Sequence, residues 1–174
     1  MAPEPFSPYA VTKLEAEKYL LKNYSNRSWI LRFAPVYSST FSLNIDRRTK
    51  IGRLFYLIGN GSNKLSICNI KNIKSTIRGI INNIIPPGVF NISDTRSYDY
   101  KELLKWQGAS FVLRIPKLIV KFLFYFGKLS GNIFLQENTT KLLTDNIYSN
   151  NKIAKFIDLS YTLNDIKLDN SVDS

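Results

Sequence analysis

Histidine is absent from this 174-residue sequence, and cysteine occurs only once, at Cys68. Without histidine the chain cannot form a serine–histidine or cysteine–histidine catalytic pair, and it lacks the commonest zinc ligand, so we predict no metal site. A single cysteine cannot form an intramolecular disulfide, which favours a reducing compartment. Any proton transfer must therefore use tyrosine, lysine, a carboxyl group or water.

Acidic residues are scarce, because 13 aspartates and glutamates stand against 24 lysines and arginines and leave a net charge of +11. A charge of this size attracts phosphate groups, nucleic acids or anionic lipids. The basic residues are nevertheless scattered without a long run, and the abundant asparagine, isoleucine and lysine are typical of AT-rich coding sequences. We therefore predict that neither a nucleic acid nor a membrane is a partner.

Long apolar runs are also missing. The most apolar stretch, residues 111–126, is interrupted by Arg114, Lys117 and Lys121 and is shorter than the roughly 20 residues that a membrane span requires. The first residues lack the charged and then apolar pattern of a secretory signal. Together with the cysteine content, these observations predict a cytoplasmic protein.

Glycine-rich nucleotide-binding turns are missing as well, since the eight glycines form no Gly-x-x-Gly-x-x-Gly motif. In dinucleotide-binding folds such a turn brings a pyrophosphate to the N-terminus of a helix. The sequence therefore offers no such site for the pyrophosphate of a dinucleotide.

What is present has the composition of a globular protein, with 44% hydrophobic and 21% charged residues. Helical and strand-like patterns alternate along the chain, which indicates an α/β architecture. Ser7 and Pro8 form a typical helix start, and Asp99 a typical helix cap. The patterns predict helices over residues 8–23, 49–58, 73–84, 100–104 and 116–129, weak helical turns near 151–156 and 163–166, and strands over 28–33, 64–70 and 89–92.

Tyr9 and Lys13 lie four residues apart on one face of the first predicted helix. A lysine ammonium beside a phenol favours the ionised phenol, which would let the tyrosine act as an acid or base near neutral pH. The spacing alone is not specific, because Tyr148 and Lys152 repeat it in an asparagine-rich stretch. The surroundings of Tyr9 and Lys13 distinguish the first pair from the second.

Those surroundings resemble a known family. Pro8-Tyr9-x-x-Thr12-Lys13-x-x-Ala16-Glu17 looks like the active-site helix of the extended short-chain dehydrogenases/reductases, which are NAD(P)-dependent nucleotide-sugar epimerases, dehydratases and 4-keto reductases. Five later segments resemble successive parts of the same family, in the same order: residues 30–37, 59–67, 88–93, 116–129 and 145–155. The resemblance is to the C-terminal part of these enzymes and covers nearly the whole chain.

The resemblance implies an α/β fold with an incomplete Rossmann-type sheet and a small α/β substrate-binding lobe. Residues 1–37 would form the C-terminal portion of the Rossmann domain, and residues 38–174 mainly the substrate-binding lobe, interleaved with the last Rossmann elements. The glycine-rich turn and the Ser or Thr of the catalytic triad would lie upstream of Met1. A separate N-terminal Rossmann half in trans, or a homodimer, is therefore an expected partner besides the nucleotide-sugar substrate.

The resemblance also implies roles for individual residues. Tyr9 would be the general acid/base, with Lys13 as its activator, in hydride transfer between a UDP-hexose or UDP-hexosamine and NAD or NADP. The residues implied to bind the cofactor are Tyr9, Lys13, Ala34, Pro35 and Val36, and those implied to bind the substrate are Lys64 and Ser66.

Some residues depart from the family pattern and leave alternatives open. Ser38-Ser39 replaces a usual Gly-Pro, and Leu65 lies where a diphosphate-binding arginine is often found. The chain could therefore be a fragment of an enzyme, or a non-catalytic module that binds a sugar nucleotide or stabilises a partner. A third interpretation, a protein that binds anionic surfaces through its net charge, is disfavoured by the scattered basic residues.

Overall fold

The computed structural model describes residues 8–167, so Ser7 lies outside the described residues. It has a mixed α/β architecture, as predicted. The helices are α1 (Pro8–Tyr24), α2 (Leu43–Thr49), α3 (Ile70–Ile81), α4 (Tyr100–Trp106), α5 (Lys117–Leu129) and α6 (Ile133–Leu143), with 3₁₀ turns at Ser25–Arg27, Ile153–Lys155 and Leu163–Asp165. The strands are β1 (Trp29–Phe33), β2 (Val36–Tyr37), β3 (Lys50–Ile51), β4 (Leu54–Ile58), β5 (Lys64–Leu65), β6 (Cys68–Asn69), β7 (Gly88–Ile92), β8 (Tyr98–Asp99) and β9 (Val112–Ile115).

Most elements agree with the sequence patterns, but the helix predicted over residues 49–58 is wrong. Gly52 adopts a φ of +60° and turns the chain, so the apolar residues that follow form β4 instead. β4 pairs in parallel with β9, which the patterns did not indicate. The strand predicted over residues 64–70 is divided into β5 and β6, and the helices α2 and α6 were not predicted.

Short parallel ladders organise the sheets. β1 and β7 pair in parallel from Trp29–Gly88 to Phe33–Ile92, and β2 continues beyond β1 to pair in parallel with β6. β4 lies between antiparallel β3 and parallel β9, and β5 pairs with antiparallel β8. The polar groups at the ends of β2, β6 and β7 are thereby brought close together.

A buried carboxylate, Asp94, lies just beyond β7 and ties these strands together. It accepts hydrogen bonds from the hydroxyls of Tyr37 (2.8 Å) and Tyr98 (3.0 Å), from the backbone N–H of Asn69 (2.7 Å) and from Nδ2 of Asn72 (3.0 Å). Burial raises the pKa of Asp94 to about 6, although the four donors oppose this rise. Burial, and secondly the charge of the same carboxylate, raise the pKa of the Tyr37 and Tyr98 hydroxyls.

The segment 161–163 is held by the same network. The hydroxyl of Tyr98 accepts a hydrogen bond from the Leu163 N–H (3.2 Å), and Nδ2 of Asn72 donates to the Tyr161 carbonyl (2.7 Å). Nδ2 of Asn69 donates to the Thr162 carbonyl (3.2 Å). Residues far apart in sequence thus share one set of hydrogen bonds around Asp94.

The two edges of the β1–β7 sheet differ. Along the outer edge of β7, Nζ of Lys152 donates to the Val89 carbonyl (2.9 Å), and the Phe156 ring packs edge-on against Phe90. Among residues 8–167, by contrast, β1 pairs with β7 alone. The backbone N–H and C=O groups along an unpaired strand edge can pair with a further strand.

The helix α3 has an exposed apolar side as well as a buried side. Its Asn72 contacts Tyr161 and its Gly79 lies close to Ile157, so that side of the helix faces the segment that follows the Ile153–Lys155 turn. Ile81 lies nine residues after Asn72, about two and a half turns, and therefore points the opposite way. Ile70, Ile77 and Ile81 are exposed there along a groove of about 500 Å³. We call the free edge of β1 and this isoleucine stripe the open flank.

Gly61 permits the tight turn between β4 and β5. Its φ is +71°, and a Cβ at this position would lie 2.5 Å from Cδ1 of the buried Leu57. We expect Gly61→Ala to lower the free energy of unfolding by about 2–4 kcal/mol in urea titrations, since it adds a steric clash to backbone strain. Gly52→Ala is the matched control, with a φ of +60° and no atom within 4 Å of the added Cβ. Equal losses in both variants would show that the contact with Leu57 is unimportant.

Candidate functional site

A cavity of about 650 Å³ lies within the described chain. It is formed by the start of α1, the end of β1 with the turn into β2, the helix α2, and the C-terminal part of α6. The lining residues are Tyr9, Phe33, Ala34, Pro35, Val36, Asn44, Arg47, Arg48, Asn138, Lys141, Leu142 and Tyr148.

Tyr9 and Lys13 lie on one face of α1, as their spacing predicts. Nζ of Lys13 is 5.7 Å from the centroid of the Tyr9 ring, within cation–π range. Tyr9 lines the cavity but is 73% exposed, whereas Lys13 is not among the lining residues. The described residues therefore position Tyr9 at the mouth of the cavity without covering it.

The turn from β1 into β2 is fixed by backbone hydrogen bonds. The N–H of Ala34 donates to the Ile92 carbonyl (3.0 Å), and the N–H of Cys68 donates to the Pro35 carbonyl (2.9 Å). Ala34 is buried, and Pro35 restricts the backbone. Ala34, Pro35 and Val36, all predicted cofactor-binding residues, thus form a rigid wall of the same cavity that Tyr9 lines.

A second wall is cationic, which the sequence patterns did not reveal. α2 contributes Arg47 and Arg48, and α6 contributes Lys141, whose Nζ also lies 3.6 Å from a carboxylate oxygen of Glu137. The cavity lining drawn from residues 8–167 includes no acidic side chain. Guanidinium groups bind phosphate oxygens well, often with two hydrogen bonds, so this wall suits a phosphorylated ligand.

Arg48 is the best placed of these cations. Its Nη1 is buried and has no hydrogen-bond partner within the described part of the chain. Beside the main cavity, Arg48 also borders a pocket of about 10 Å³ with Tyr56 and Tyr100, whose hydroxyl is similarly unpartnered among residues 8–167. That volume is on the order of a single water molecule. Burial raises the pKa of Tyr56 to about 12, so its hydroxyl stays protonated at neutral pH.

Lys64 and Ser66, the two predicted substrate-binding residues, do not line the cavity. Lys64 is exposed on β5, and its N–H donates to Oδ1 of Asp145 (2.8 Å). Ser66 is buried, and its hydroxyl accepts a hydrogen bond from the N–H of Tyr148 (3.0 Å). Ser66 therefore contacts the cavity only indirectly, by holding the residue that lines it.

Lys152 and Cys68 are not positioned to take part in acid–base or nucleophilic chemistry at the cavity. Tyr148 lines the cavity, but Lys152 binds the Val89 carbonyl and lies over the Phe90 ring, at 4.7 Å from its centroid. The second Tyr–Lys pair is therefore separated, in contrast to the pair on α1. Burial raises the pKa of the Cys68 thiol to about 12, which disfavours a nucleophilic thiolate.

Comparisons with known proteins identify the fold. No protein family and no curated protein sequence matches the chain. Solved structures do: UDP-N-acetylglucosamine 4-epimerase from Bacillus cereus is 16% identical with a TM-score of 0.58, over 94% of this chain and 53% of that one. UDP-glucuronic acid 4-epimerase from Bacillus cereus, in complex with UDP-glucuronic acid and NAD, is 18% identical with a TM-score of 0.56, over 95% and 51%.

A functionally unknown conserved protein from Silicibacter pomeroyi is also similar, at 12% identity and a TM-score of 0.60, over 91% of this chain and 53% of that one. At these identities the likeness concerns the fold. The chain spans about half the length of the solved structures that it matches. It therefore has the fold of one portion of those proteins.

Proposed function

We propose that this chain, which has the fold of the extended short-chain dehydrogenases/reductases, is the C-terminal half of an NAD(P)-dependent nucleotide-sugar epimerase, dehydratase or 4-keto reductase. Its substrate would be a UDP-hexose or UDP-hexosamine. Residues 1–37 would complete the Rossmann domain, and residues 38–174 would mainly form the substrate-binding lobe.

The proposal rests on one observation: a tyrosine hydroxyl and a cluster of cations line the same cavity. Tyr9, a potential proton donor and acceptor, lines the same 650 Å³ cavity as Arg47, Arg48 and Lys141. A nucleotide sugar needs both, because its diphosphate requires cations and its hydroxyl or keto group requires an acid or base. In this arrangement the arginines would hold the diphosphate and Tyr9 Oη would exchange a proton with the sugar.

The residues present fit one end of a nicotinamide dinucleotide. Tyr9, Ala34, Pro35 and Val36 form the wall that would hold its ring, with Lys13 beside Tyr9. The bound dinucleotide would supply the hydride chemistry. The glycine-rich turn for its pyrophosphate does not occur in this sequence and would come from other residues.

The open flank is where those residues would pack. The free edge of β1 can accept another parallel strand, and the exposed Ile70, Ile77 and Ile81 can pack against a helix that flanks it. A polypeptide with the glycine-rich half of a Rossmann fold would supply both the strand and the helix. It would also cover the exposed Tyr9. This is the partner that we propose, in preference to a homodimer.

A non-catalytic sugar-nucleotide-binding module is the second candidate, and one observation favours it. The cationic wall and the cavity lie entirely within the described chain, whereas the dinucleotide turn does not occur in the sequence. Binding of UDP-sugars without turnover, even with a partner that carries the glycine-rich turn, would select this candidate. Lys64 and Ser66 remain predictions for binding the substrate, with Ser66 acting through Tyr148.

Binding of a nucleotide sugar tests the site directly. We expect Arg48→Gln to raise the Kd for UDP-N-acetylglucosamine or UDP-glucose at least tenfold in isothermal titration calorimetry, since it removes a charged hydrogen bond to phosphate. Arg47→Ala should weaken binding in the same direction. Arg53→Ala, at an exposed arginine outside the cavity, is the matched control and should change the Kd less than twofold. Binding by the wild type that is insensitive to both cavity substitutions would contradict the proposed substrate site.

A further inference from the structure

The helix α5 exposes one of its sides almost entirely, and that side is apolar. Leu118, Phe122 and Leu129 are 77%, 70% and 89% exposed, and Tyr125 and Phe126 are exposed beside them. Only Val120 and Gly127 are buried in this helix. Leu129 lies nine residues after Val120 and Leu118 nine residues before Gly127, so the exposed side is opposite the buried one.

The buried side of α5 packs against α6, which makes the two helices one hairpin. A Cβ at Gly127 would lie 3.2 Å from Cβ of Leu135, which shows how closely the helices approach. Gly131, at a φ of +66°, makes the turn between them. Phe134, at the start of α6, is 78% exposed and extends the apolar surface past the turn. We call this surface the hairpin face; its members are Leu118, Phe122, Tyr125, Phe126, Leu129 and Phe134.

The charges around the hairpin face are of one sign. Lys117, Lys121 and Lys128 are exposed along one edge of α5, and Arg114 lies just before the helix. No aspartate or glutamate occurs anywhere in residues 111–136. An exposed apolar side with aromatic residues, bordered by lysines, is typical of helices that lie in a membrane surface.

We propose that the hairpin face binds the surface of a bilayer that contains anionic lipids. The apolar side chains would enter the boundary between headgroups and acyl chains, while the lysines would contact lipid phosphates. α5 has 13 residues, and within residues 8–167 no helix is long and apolar enough to cross a membrane. The helix would therefore lie in the plane of the surface. The sequence alone predicted no membrane partner, because the basic residues are scattered and the apolar stretch 111–126 is short. Those patterns do not show which side of α5 is left uncovered.

Charge argues for lipid rather than a second copy of the chain. If two hairpin faces packed together, residues 111–136 of each copy would contribute four cations. The interface would then hold eight cations and no carboxylate from those segments. An anionic bilayer neutralises the same cations, each of which gains attraction at the surface. The proposal is independent of the sugar-nucleotide site, because it uses none of the residues that line the cavity.

Flotation with lipid vesicles tests the proposal on the full chain. The wild type should bind vesicles of phosphatidylcholine and phosphatidylglycerol mixed at about two to one. Its binding to vesicles of pure phosphatidylcholine should be at least tenfold weaker. Phe122→Ser combined with Leu129→Ser should reduce binding at least tenfold, and Lys121→Glu combined with Lys128→Glu to a similar extent. The matched controls are Ile77→Ser with Ile81→Ser on α3 and Lys18→Glu with Lys22→Glu on α1, which should each stay within twofold of the wild type.

A fluorescence measurement distinguishes insertion of the apolar side chains into the bilayer from electrostatic adsorption at its surface. Phe122→Trp keeps an aromatic ring at an exposed position, and its fluorescence should shift to shorter wavelength with the anionic vesicles and be quenched by brominated lipid. Absence of wild-type binding to these vesicles at low salt would overturn the proposal, as would equal losses in the α3 controls. A stable dimer that dissociates when Phe122 and Leu129 are replaced would instead assign the hairpin face to a second copy, and would also overturn it.

Discussion

Replacing Asp94 by alanine is expected to lower the free energy of unfolding by about 3–5 kcal/mol at neutral pH. The substitution would leave the buried hydroxyls of Tyr37 and Tyr98 and the N–H of Asn69 without their acceptor. Each such donor costs about 1–3 kcal/mol when it is buried and unpaired. The loss would be measured by urea unfolding, with Asp158→Ala, at an exposed carboxylate, as the control.

The pH dependence identifies the cause of that loss. Because folding raises the pKa of Asp94 from 3.8 to about 6, the pH-dependent part of its contribution to stability is greatest below pH 4 and is lost as the pH rises through about 6, whereas its role as hydrogen-bond acceptor remains at neutral pH. Relative to Asp94→Asn, which cannot titrate, the wild type should therefore lose about 2–3 kcal/mol between these limits. A constant difference between the two proteins would show that Asp94 titrates normally in the folded state.

Tyr9→Phe is expected to abolish most of the chemistry and little of the binding. In an assembly with a polypeptide that carries the glycine-rich Rossmann half, hydride transfer from a UDP-sugar should fall about 10²–10⁴-fold, because the phenol would be the proton donor and acceptor. The Kd for the UDP-sugar should remain within about threefold, since the cations that would hold the diphosphate are untouched. Single-turnover absorbance of the reduced nicotinamide measures the first quantity, and calorimetry measures the second.

Tyr148→Phe is the matched control for this experiment. Tyr148 lines the same cavity, but Lys152 is bound elsewhere, to the Val89 carbonyl. We expect the rate to change less than about fivefold, because no lysine supports this phenol. Similar losses in both variants would mean that cavity shape, rather than proton transfer at Tyr9, governs the reaction.

Local sequence patterns correctly predicted the helices whose start is determined by residues within the helix or next to it. Pro8, at the first helical position, predicts the start of α1, and Asp99 with Glu102 forms a capping box that starts α4. The Tyr9–Lys13 arrangement follows directly from helical geometry. The patterns misread residues 49–58 because their apolar spacing also fits a helix. The choice between the two depends on Gly52 and on a distant partner strand, β9.

Only part of the candidate site could be predicted from the sequence, because the rest depends on contacts between distant residues. Tyr9 and the turn at Ala34–Val36 lie in segments with recognisable patterns, whereas Arg47 and Lys141 are far apart in sequence and meet only through tertiary packing. The basic pair at Arg47 and Arg48, next to a predicted element boundary, was the available signal. The same limit applies to α5, whose helical pattern shows an apolar side but not whether another element covers it.

The hydrogen bonds around Asp94 also bear on how the chain folds during synthesis. Tyr98, Asn69 and Asn72 acquire their last partners only from residues 161–163, which are 65 to 93 positions later in the chain. While those residues are still within the ribosome, the centre of the sheet must stay incomplete, with its polar groups hydrated. We therefore expect the side-chain amides of Asn69 and Asn72, which donate to the Thr162 and Tyr161 carbonyls, to become fully protected from hydrogen exchange only after residues 161–163 have emerged, late relative to the formation of α3.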